Sequence, residues 1–186
     1  MPPPPASTDP ISPPPPSPSR LGRYTHAAVA VDSVPCAGVG RAVLERAGTA
    51  VDAAVAALLC NGVTTSQSAG LGGGFIMTVV LANGTRAALV ARETAPAAAT
   101  RTMFANRSST LGPLAAGVPG ELLGLWEAKQ RFGNPAVPWT DLLEPAIKLC
   151  EEGITVSAHA ARALARSADN ILADPGLAAV FGKFQQ

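Results

Sequence analysis

The stretch SAGLGGGFIMTVVLANGTRAALVARETAP, from Ser68 to Pro96, contains two features that could do chemistry. It begins with a cluster of glycines, and glycine-rich loops hold phosphate groups in several classes of protein. Near its end lies Arg92, whose planar guanidinium suits a carboxylate held by two hydrogen bonds. The stretch therefore poses two alternatives, a phosphate site at the glycines and a carboxylate site at the arginine.

The glycine cluster does not fit the nucleotide-binding patterns. G-x-G-x-x-G would need a third glycine where Phe75 or Met77 stands, and no lysine follows as in a Walker loop. Phosphate loops also leave a strand and open a helix, whereas this loop is predicted to leave a helix and open a strand. We interpret the glycines as a turn that adopts positive φ and lets the backbone approach another segment closely.

Arg92 lies near the end of an apolar strand. By two-residue alternation it shares a face with Ala88 and Val90, while Glu93 points to the other side. An arginine on an apolar face needs a partner, because a buried unpaired charge is costly. Chemistry alone leaves two alternatives, a structural salt bridge and a ligand site, and favours the salt bridge.

A β-hairpin is predicted to position this arginine. FIMTVVLA and RAALVARE flank Asn83-Gly84-Thr85, and Asn-Gly between two apolar runs is a strong hairpin signal since both residues tolerate positive φ. Each run is apolar on both faces, which predicts a sheet that is covered on both sides. The rest of the chain supplies no further clear strand partner, because it is predicted to be mainly helical.

Capping signals and apolar spacing predict the helices that flank the hairpin. The predicted elements are a short strand at THAAVAVD, a helix from Pro35 to a C-cap at Gly48, a helix that follows an N-cap at Thr49 and ends at Asn61-Gly62, irregular chain over 97–117, a helix from about Pro119 to Gly133, a helix over WTDLLEPAIKLCEEG that Pro145 kinks or restarts, and one helix over VSAHAARALARSADNILADPG.

Length, charge and composition exclude several classes of protein. The chain has 186 residues and a formal net charge of +1, so it fits one domain and gives no indication of nucleic-acid binding. Residues 1–23 are rich in Pro and Ser and are predicted to form a disordered tail, before a domain at 24–186. The start of the chain lacks the pattern of a signal peptide, and its apolar runs are too short for a transmembrane helix.

The cysteines and histidines suggest no catalytic or metal site. The three cysteines, Cys36, Cys60 and Cys150, form no C-x-x-C pair, which argues against zinc or redox chemistry. His26 and His159 lack neighbours arranged for a triad, and both are interpreted as ordinary structural residues.

Five motifs together resemble the γ-glutamyltranspeptidases, also called glutathione hydrolases, in their order and spacing. They are AGTAVDAAVAALLC (47–60), SAGLGGGF (68–75), ARETAP (91–96), GVPGE (117–121) and PWTDLLEPAIKLCEEGITV (138–156). The resemblance implies an α+β fold, the αββα sandwich of the N-terminal nucleophile hydrolases. It covers the chain from about Tyr24 and matches the N-terminal part of the large subunit, so we expect an incomplete fragment with helices and one hairpin of the sheet.

The resemblance also implies an activity. Enzymes of this family cleave the γ-glutamyl amide of glutathione and its conjugates, and they pass the γ-glutamyl group to water, an amino acid or a peptide. Their nucleophile is the N-terminal threonine of the small subunit, which self-cleavage of a precursor exposes. We expect that threonine outside this chain, so no catalytic residue is assigned and the isolated chain is predicted to be inactive. The implied partners are the remainder of the large subunit and the small subunit, and no metal or organic cofactor is implied.

The resemblance assigns four kinds of feature to this sequence. It implies that Arg92 pairs with the substrate α-carboxylate, that Cys36 and Cys60 form a disulfide and that Asn83 and Asn106 are glycosylated. It also implies the extracellular face of the plasma membrane, although animal relatives begin with a membrane anchor where this chain has its Pro/Ser tail.

Two alternatives remain beside the enzyme. One is a non-catalytic product, either a truncated isoform or a pseudoenzyme fragment that binds a partner subunit. The other is a related amidohydrolase with a different acyl substrate, such as a cephalosporin acylase, which shares the architecture and part of the motif set.

Overall fold

The computed structural model describes residues 22–182. The predicted tail at 1–23 therefore lies almost wholly outside the described residues. The helices and strands are α1 (Val34–Glu45), α2 (Ala50–Thr64), β1 (Phe75–Val80), β2 (Arg86–Ala91), α3 (Glu121–Phe132), α4 (Trp139–Glu152), α5 (Ala158–Arg166), α6 (Ala168–Ala173) and α7 (Pro175–Phe181). One 3₁₀ turn, Pro113–Ala115, interrupts the irregular segment between β2 and α3. The predicted order of helices, one hairpin and more helices is confirmed.

Helix α2 is the centre of the fold. It packs against α1, α3 and α4, and it is buried along most of its length. Its alanines carry only a methyl group, so neighbouring helices approach it closely. The core cluster is formed by apolar side chains of α2, β1, α3 and α4: Val51, Val55, Ala56, Leu59, Val79, Leu125, Ala128, Leu142 and Ala146.

Caps define the turn between α1 and α2. Thr49 is the N-cap of α2, as predicted, and it forms a capping box with Asp52. Helix α1 ends at Glu45 with Arg46 as its C-cap, two residues before the C-cap predicted at Gly48. Ala47, with φ 66°, takes the left-handed position that was predicted for Gly48, and the Gly48 N–H donates to the Val43 carbonyl at 2.9 Å.

The hairpin has the predicted antiparallel pairing, with Phe75 opposite Ala91 and Val80 opposite Arg86. One face carries Phe75, Met77 and Leu89, which pack against the core cluster. The opposite face is bare: Ile76, Val80 and Val90 are 66%, 71% and 73% exposed. Within the described residues the sheet has two strands and helices on one side only, so the predicted cover of its second face stays a prediction about protein outside this chain.

Several element predictions need correction, and one of them is the end of α2, which lies at Thr64 rather than at Asn61-Gly62. THAAVAVD is irregular rather than a strand, because no described strand pairs with it. Helix α3 begins at Glu121 with Gly120 as its N-cap, so Pro119 precedes the helix. The helix predicted over VSAHAARALARSADNILADPG is two helices, α5 and α6, which meet at Ser167. Pro145 lies inside α4 and neither ends it nor starts a new helix.

A disulfide joins Cys36 of α1 to Cys60 of α2, with the two Cα atoms 5.4 Å apart. This is the pairing that the resemblance implied, and Cys150 is the free, exposed cysteine. Within residues 22–182 no helix has both the length and the apolar character to cross a membrane.

Candidate functional site

Arg92 directly follows β2, and its side chain is 53% exposed. One terminal nitrogen, Nη2, lies 2.6 Å from Oε1 of Glu93, and the other, Nη1, donates to the carbonyl of Gly74 at 3.4 Å. A guanidinium has five N–H donors, so these two contacts leave most of them open to a ligand. The strand face that Arg92 shares with Ala88 and Val90 is exposed in this structure, so the guanidinium is reached by solvent.

The salt bridge between Arg92 and Glu93 joins neighbours in the sequence and is open to water. Such exposed pairs contribute about 0–1 kcal/mol to folding. The Oε2 atom of Glu93 is buried without a hydrogen-bond partner among the described residues. Within residues 22–182 the ionic partner of Arg92 is Glu93, and a salt bridge to the rest of the protein, the alternative that chemistry alone favoured, stays a prediction.

Two glycines allow other segments to lie directly against the backbone of Arg92. A Cβ on Gly74 would stand 2.7 Å from the Arg92 Cα, and a Cβ on Gly120 would stand 2.6 Å from the Arg92 carbonyl oxygen. Contacts that short do not occur for real side chains, so both positions require glycine for close approach. Of the loop glycines, Gly70 is the one with positive φ, at 146°.

The start of α3 holds the glycine loop in place. The carbonyl of Gly73 accepts hydrogen bonds from the backbone N–H groups of Gly120 (3.0 Å) and Glu121 (3.2 Å). Thr94 and Val118 pair as an isolated antiparallel bridge, with N–O distances of 3.1 and 2.9 Å. We call this meeting of the glycine loop (68–74), the segment 91–94 and the segment 117–121 the arginine junction.

Glu121 is the buried acid of the arginine junction, with 6% of its surface exposed. Burial raises the pKa of its carboxyl, and a hydrogen bond from the backbone N–H of Gly70 offsets part of this, so the net direction is upward. Sequence reasoning missed this residue as a site candidate. It was identified only as an acid in the first turn of a helix, where such residues are usually exposed.

A second polar group, the Asp52 cluster, lies at the other end of α3 and was also missed. Oδ2 of Asp52 accepts from the N–H groups of Thr49 and Asn134, each at 2.8 Å, and from the Thr49 hydroxyl at 2.9 Å. Nζ of Lys129 lies 3.4 Å from Oδ1 of Asp52 and donates to the Asn134 carbonyl at 2.6 Å. Both charged side chains are buried. One indication of this cluster was available in the sequence, an acid at the third helical position after a threonine N-cap.

The pKa of Asp52 reflects these contacts. Burial would raise it, but the N–H groups of Asn134 and Thr49, the Thr49 hydroxyl and the charge of Lys129 outweigh burial, so the pKa is lowered. Every strong donor in the cluster belongs to the chain itself. The Asp52 cluster therefore has a structural role and offers no opening to a ligand.

The remaining candidates lie apart from the arginine junction. Asn83 is in the hairpin turn, where its Oδ1 accepts from the N–H of Thr85 at 3.0 Å, and Asn106 has φ 59° in the irregular segment. Both are exposed, and their glycosylation stays a prediction. His26 bonds to the neighbouring Thr25 hydroxyl, and His159 is exposed on α5. No group of three or more His, Cys, Asp or Glu side chains in the described chain could hold a metal ion.

Comparison with protein families gives one match. The γ-glutamyltranspeptidase family model matches residues 36–186. Among curated proteins, the chain is 47% identical over 169 residues to scoloptoxin SSD14 of Scolopendra dehaani and 44% identical over 158 residues to glutathione hydrolase 3 of Arabidopsis thaliana. These alignments cover 89% and 83% of this chain but 29% and 24% of the relatives, so the chain spans about a quarter of their length.

Solved structures agree with the family match. A γ-glutamyltranspeptidase from Pseudomonas nitroreducens, complexed with L-DON, superposes with a TM-score of 0.80 at 35% identity, over 88% of this chain and 50% of that one. A cephalosporin acylase from Bacillus halodurans superposes with a TM-score of 0.75 at 27% identity, over 90% of this chain and 32% of that one. The helices and the hairpin described above thus have the same arrangement in both proteins.

Proposed function

The chain belongs to the γ-glutamyltranspeptidase family, and on that premise we propose that it supplies the carboxylate-binding arginine of a glutathione hydrolase. Its helices and hairpin are part of the αββα sandwich of the N-terminal nucleophile hydrolases. The proposed enzyme cleaves the γ-glutamyl amide of glutathione and its conjugates and passes the γ-glutamyl group to water, an amino acid or a peptide. The observation that carries the proposal is the condition of Arg92: its backbone is packed between two glycines while its guanidinium is exposed.

The chemistry of the donor explains why such an arginine is useful. A γ-glutamyl compound carries an α-carboxylate several bonds away from the amide that is cleaved. A guanidinium binds a carboxylate through two parallel hydrogen bonds, which fixes both distance and orientation. Binding the α-carboxylate would place the γ-carbonyl of the donor over the nucleophile. Correct placement lowers the activation barrier, because the translational and rotational entropy is already lost on binding.

We place the nucleophile outside this chain. In the proposed enzyme it is the N-terminal threonine of the small subunit, and the remainder of the large subunit completes the sheet. We expect the isolated chain to show no hydrolysis of a γ-glutamyl anilide. Turnover by purified chain that is free of host transpeptidase would contradict this part of the proposal.

The test of Arg92 is kinetic and is made in the full-length enzyme that carries this segment. The contact exists in the ground state and in the transition state, so Arg92→Ala should raise the donor KM first and also lower kcat. We expect a loss on the order of 2–5 kcal/mol in kcat/KM, as for one partner removed from a close charge pair. Arg92→Lys should restore part of the loss, since lysine offers a charge without the planar fork.

Arg86 provides a matched control. It stands at the opposite end of β2, on the same strand face by alternation, and it is also exposed. Arg86→Ala should therefore leave the donor KM unchanged. An Arg92→Ala enzyme with a normal donor KM and a lowered melting temperature would refute the ligand assignment.

The likeness to a cephalosporin acylase supports one second candidate, an amidohydrolase with another acyl substrate. A glutaryl side chain carries a terminal carboxylate where a γ-glutamyl group has its α-carboxylate, but it lacks the α-ammonium group, so Arg92 could pair with either and the ammonium separates the two substrates. Competition between glutamate and glutarate for the donor site separates the candidates: the glutathione hydrolase should prefer glutamate because of its α-ammonium group, and Arg92→Ala should weaken both competitors. A chain that assembles with no small subunit would instead support a non-catalytic product.

An extracellular location is part of the proposal. The disulfide between Cys36 and Cys60 persists best in an oxidising compartment. The sequons at Asn83 and Asn106 are exposed, as glycosylation requires. Glycosidase-sensitive mobility of the protein from its own cells, lost in Asn83→Gln and Asn106→Gln, would establish the modification.

A further inference from the structure

Glu121 contacts the glycine loop with both its backbone and its side chain. Its N–H donates to the carbonyl of Gly73 at 3.2 Å, and the N–H of Gly70 lies close enough to its buried carboxyl group to offset part of the rise in pKa that burial causes. The residue is buried at the start of α3. A carboxylate at this end of a helix is also favoured by the helix dipole. These contacts at two points fix the loop with respect to α3.

The glycine loop in turn borders Arg92. The carbonyl of Gly74, one residue after the Gly73 carbonyl that α3 holds, accepts from Nη1 of Arg92 at 3.4 Å. The same glycine lies against the Arg92 Cα, with no room for a side chain between them. A shift of the loop would therefore move a hydrogen-bond acceptor of the guanidinium and the backbone that supports it.

We propose that Glu121 is a positioning residue for donor binding, which acts on Arg92 through the glycine loop. The inference rests on the proposed function of Arg92 as the carboxylate-binding residue. Glu121 itself contacts no substrate in this account. Its carboxylate holds Gly70, its backbone holds Gly73, and the guanidinium is thereby kept at the distance and angle that a bidentate carboxylate needs.

A bland alternative must be separated from this proposal. An acid in the first turn of a helix stabilises that helix whatever lies beside it, and its loss then lowers stability without changing substrate affinity. The two roles differ in the donor KM of correctly folded enzyme. They also differ in the effect of glutamine, which keeps the acceptor oxygen but loses the charge that favours a helix N-terminus.

The first experiment measures amide hydrogen exchange in the chain itself. Glu121→Ala should raise the exchange rate of the amides in 68–74, whereas Glu121→Gln should leave it near wild type. Glu127→Ala is the control, because Glu127 lies on the exposed side of the same helix and pairs only with Arg131. Equal exchange in the loop of wild type and Glu121→Ala would overturn the proposal. If Glu121→Ala fails to fold, Glu121→Asp, whose shorter side chain withdraws the carboxylate from Gly70, replaces it.

The second experiment is a double-mutant cycle in the full-length enzyme, with the donor KM as the readout. Glu121→Ala should raise the donor KM on the order of 10-fold, within the roughly 10²-fold that a misplacement of 1 Å can cost. The acceptor KM should stay constant, and Glu121→Gln should restore most of the donor affinity. In an Arg92→Ala background the effect of Glu121→Ala should disappear, because the two residues act as one unit.

The outcomes distinguish the two proposals. If Arg92→Ala raises the donor KM and Glu121→Ala does not, the inference about Glu121 fails alone. If the two effects add fully, Glu121 acts by another route and the inference also fails. If Arg92→Ala leaves the donor KM unchanged, the proposed function fails, and with it the role of Glu121 in donor binding.

Discussion

The Asp52 cluster and the arginine junction lie at opposite ends of α3 and use similar parts. Each contains an acid and a base in contact, and each brings the end of a helix close to a loop. The Asp52 and Lys129 side chains are 0% and 5% exposed, whereas the side chain of Arg92 is 53% exposed. In the first region the chain itself supplies the hydrogen bonds to the charge. In the second region the chain fixes the backbone and leaves the charged group open.

This difference shows how one chain can separate stability from binding. A buried charge is tolerable only when its partners are fixed, so removing one partner from the Asp52 cluster is expected to be costly. An exposed guanidinium on a rigid backbone costs little to maintain, and it remains able to form two hydrogen bonds to an incoming carboxylate. The predictions below test this separation through the free energy of unfolding.

The largest effect is expected for Lys129→Met. The substitution keeps most of the side-chain volume but leaves the Asp52 carboxylate buried without its cation. Breaking a buried pair in this way costs about 3–5 kcal/mol. Lys148→Met, which removes a cation from an exposed pair with Glu144, should change stability by less than about 1 kcal/mol. Denaturant unfolding of the two variants measures the difference, and equal values would remove the distinction between the regions.

Removal of the disulfide should have the next largest effect. Cys36 and Cys60 are separated by 24 positions, and loop entropy predicts that opening such a bridge costs about 3 kcal/mol. The double variant Cys36→Ala with Cys60→Ala avoids burying a hydroxyl, and Cys150→Ala is the matched control at an exposed free cysteine. The lost stability is measured as a shift of the denaturant midpoint between variants whose unfolding transitions have the same slope. A loss as large in Cys150→Ala as in the double variant would contradict the assignment.

The two buried acids should make stability depend on pH with opposite signs. Asp52 has a pKa below its ordinary 3.8, so its contribution is complete above that value and is lost as the pH falls through the lower folded pKa. Glu121 has a pKa above its ordinary 4.5, so the native state binds the extra proton and stability falls as the pH rises beyond 4.5 towards the raised pKa.

Unfolding measured across pH checks both signs. The difference between wild type and Asp52→Asn should shrink as the solution is acidified below pH 3.8. Glu121→Gln should lose less stability than wild type between pH 4.5 and neutrality. If the difference in the free energy of unfolding between wild type and variant changed with pH in the same direction for both variants, the two acids would not differ as described.

The smallest effect on stability is expected for Arg92→Ala. Its one ionic partner among the described residues, Glu93, is a sequence neighbour in an exposed pair, so the free energy of unfolding should change by less than about 1 kcal/mol. A melting curve of the chain is sufficient to measure this. If Arg92→Ala lowered the free energy of unfolding as much as Lys129→Met does, Arg92 would be a structural residue. The distinction between the arginine junction and the Asp52 cluster would then fail.

The elements that local signals define were the ones that the sequence predicted well. Asn83-Gly84 located the hairpin turn, and Thr49 located the start of α2, because each acts through its own backbone and its nearest neighbours. Where the outcome depends on distant residues, prediction failed. THAAVAVD has the composition of a strand but has no strand beside it within the described residues.

The polar residues of the candidate site show the same limit. Arg92 was identified because its motif resembles a known family, whereas Glu121 and Lys129 look like surface residues of an amphipathic helix. Glu121 is buried next to the glycine loop, which lies far from it in the sequence. Lys129 is buried next to Asn134, which follows the end of α3 after a turn. The bare face of the hairpin has the converse limit, since the apolar pattern of a strand indicates that the strand can be covered but not what covers it.

The bare hairpin face has a consequence for the timing of biosynthesis. A hairpin closed by a short loop, here the five residues 81–85, forms in about 1–10 μs, because all its contacts are local. At about 5–20 residues per second, the ribosome needs roughly 5–20 s to add the hundred or so residues that follow β2 in this chain. Ile76, Val80 and Val90 are thus presented on a finished, two-edged ribbon for about a million times longer than the ribbon takes to form. Through that interval the unpaired edges of the hairpin are open to pairing with the hairpin of another nascent chain.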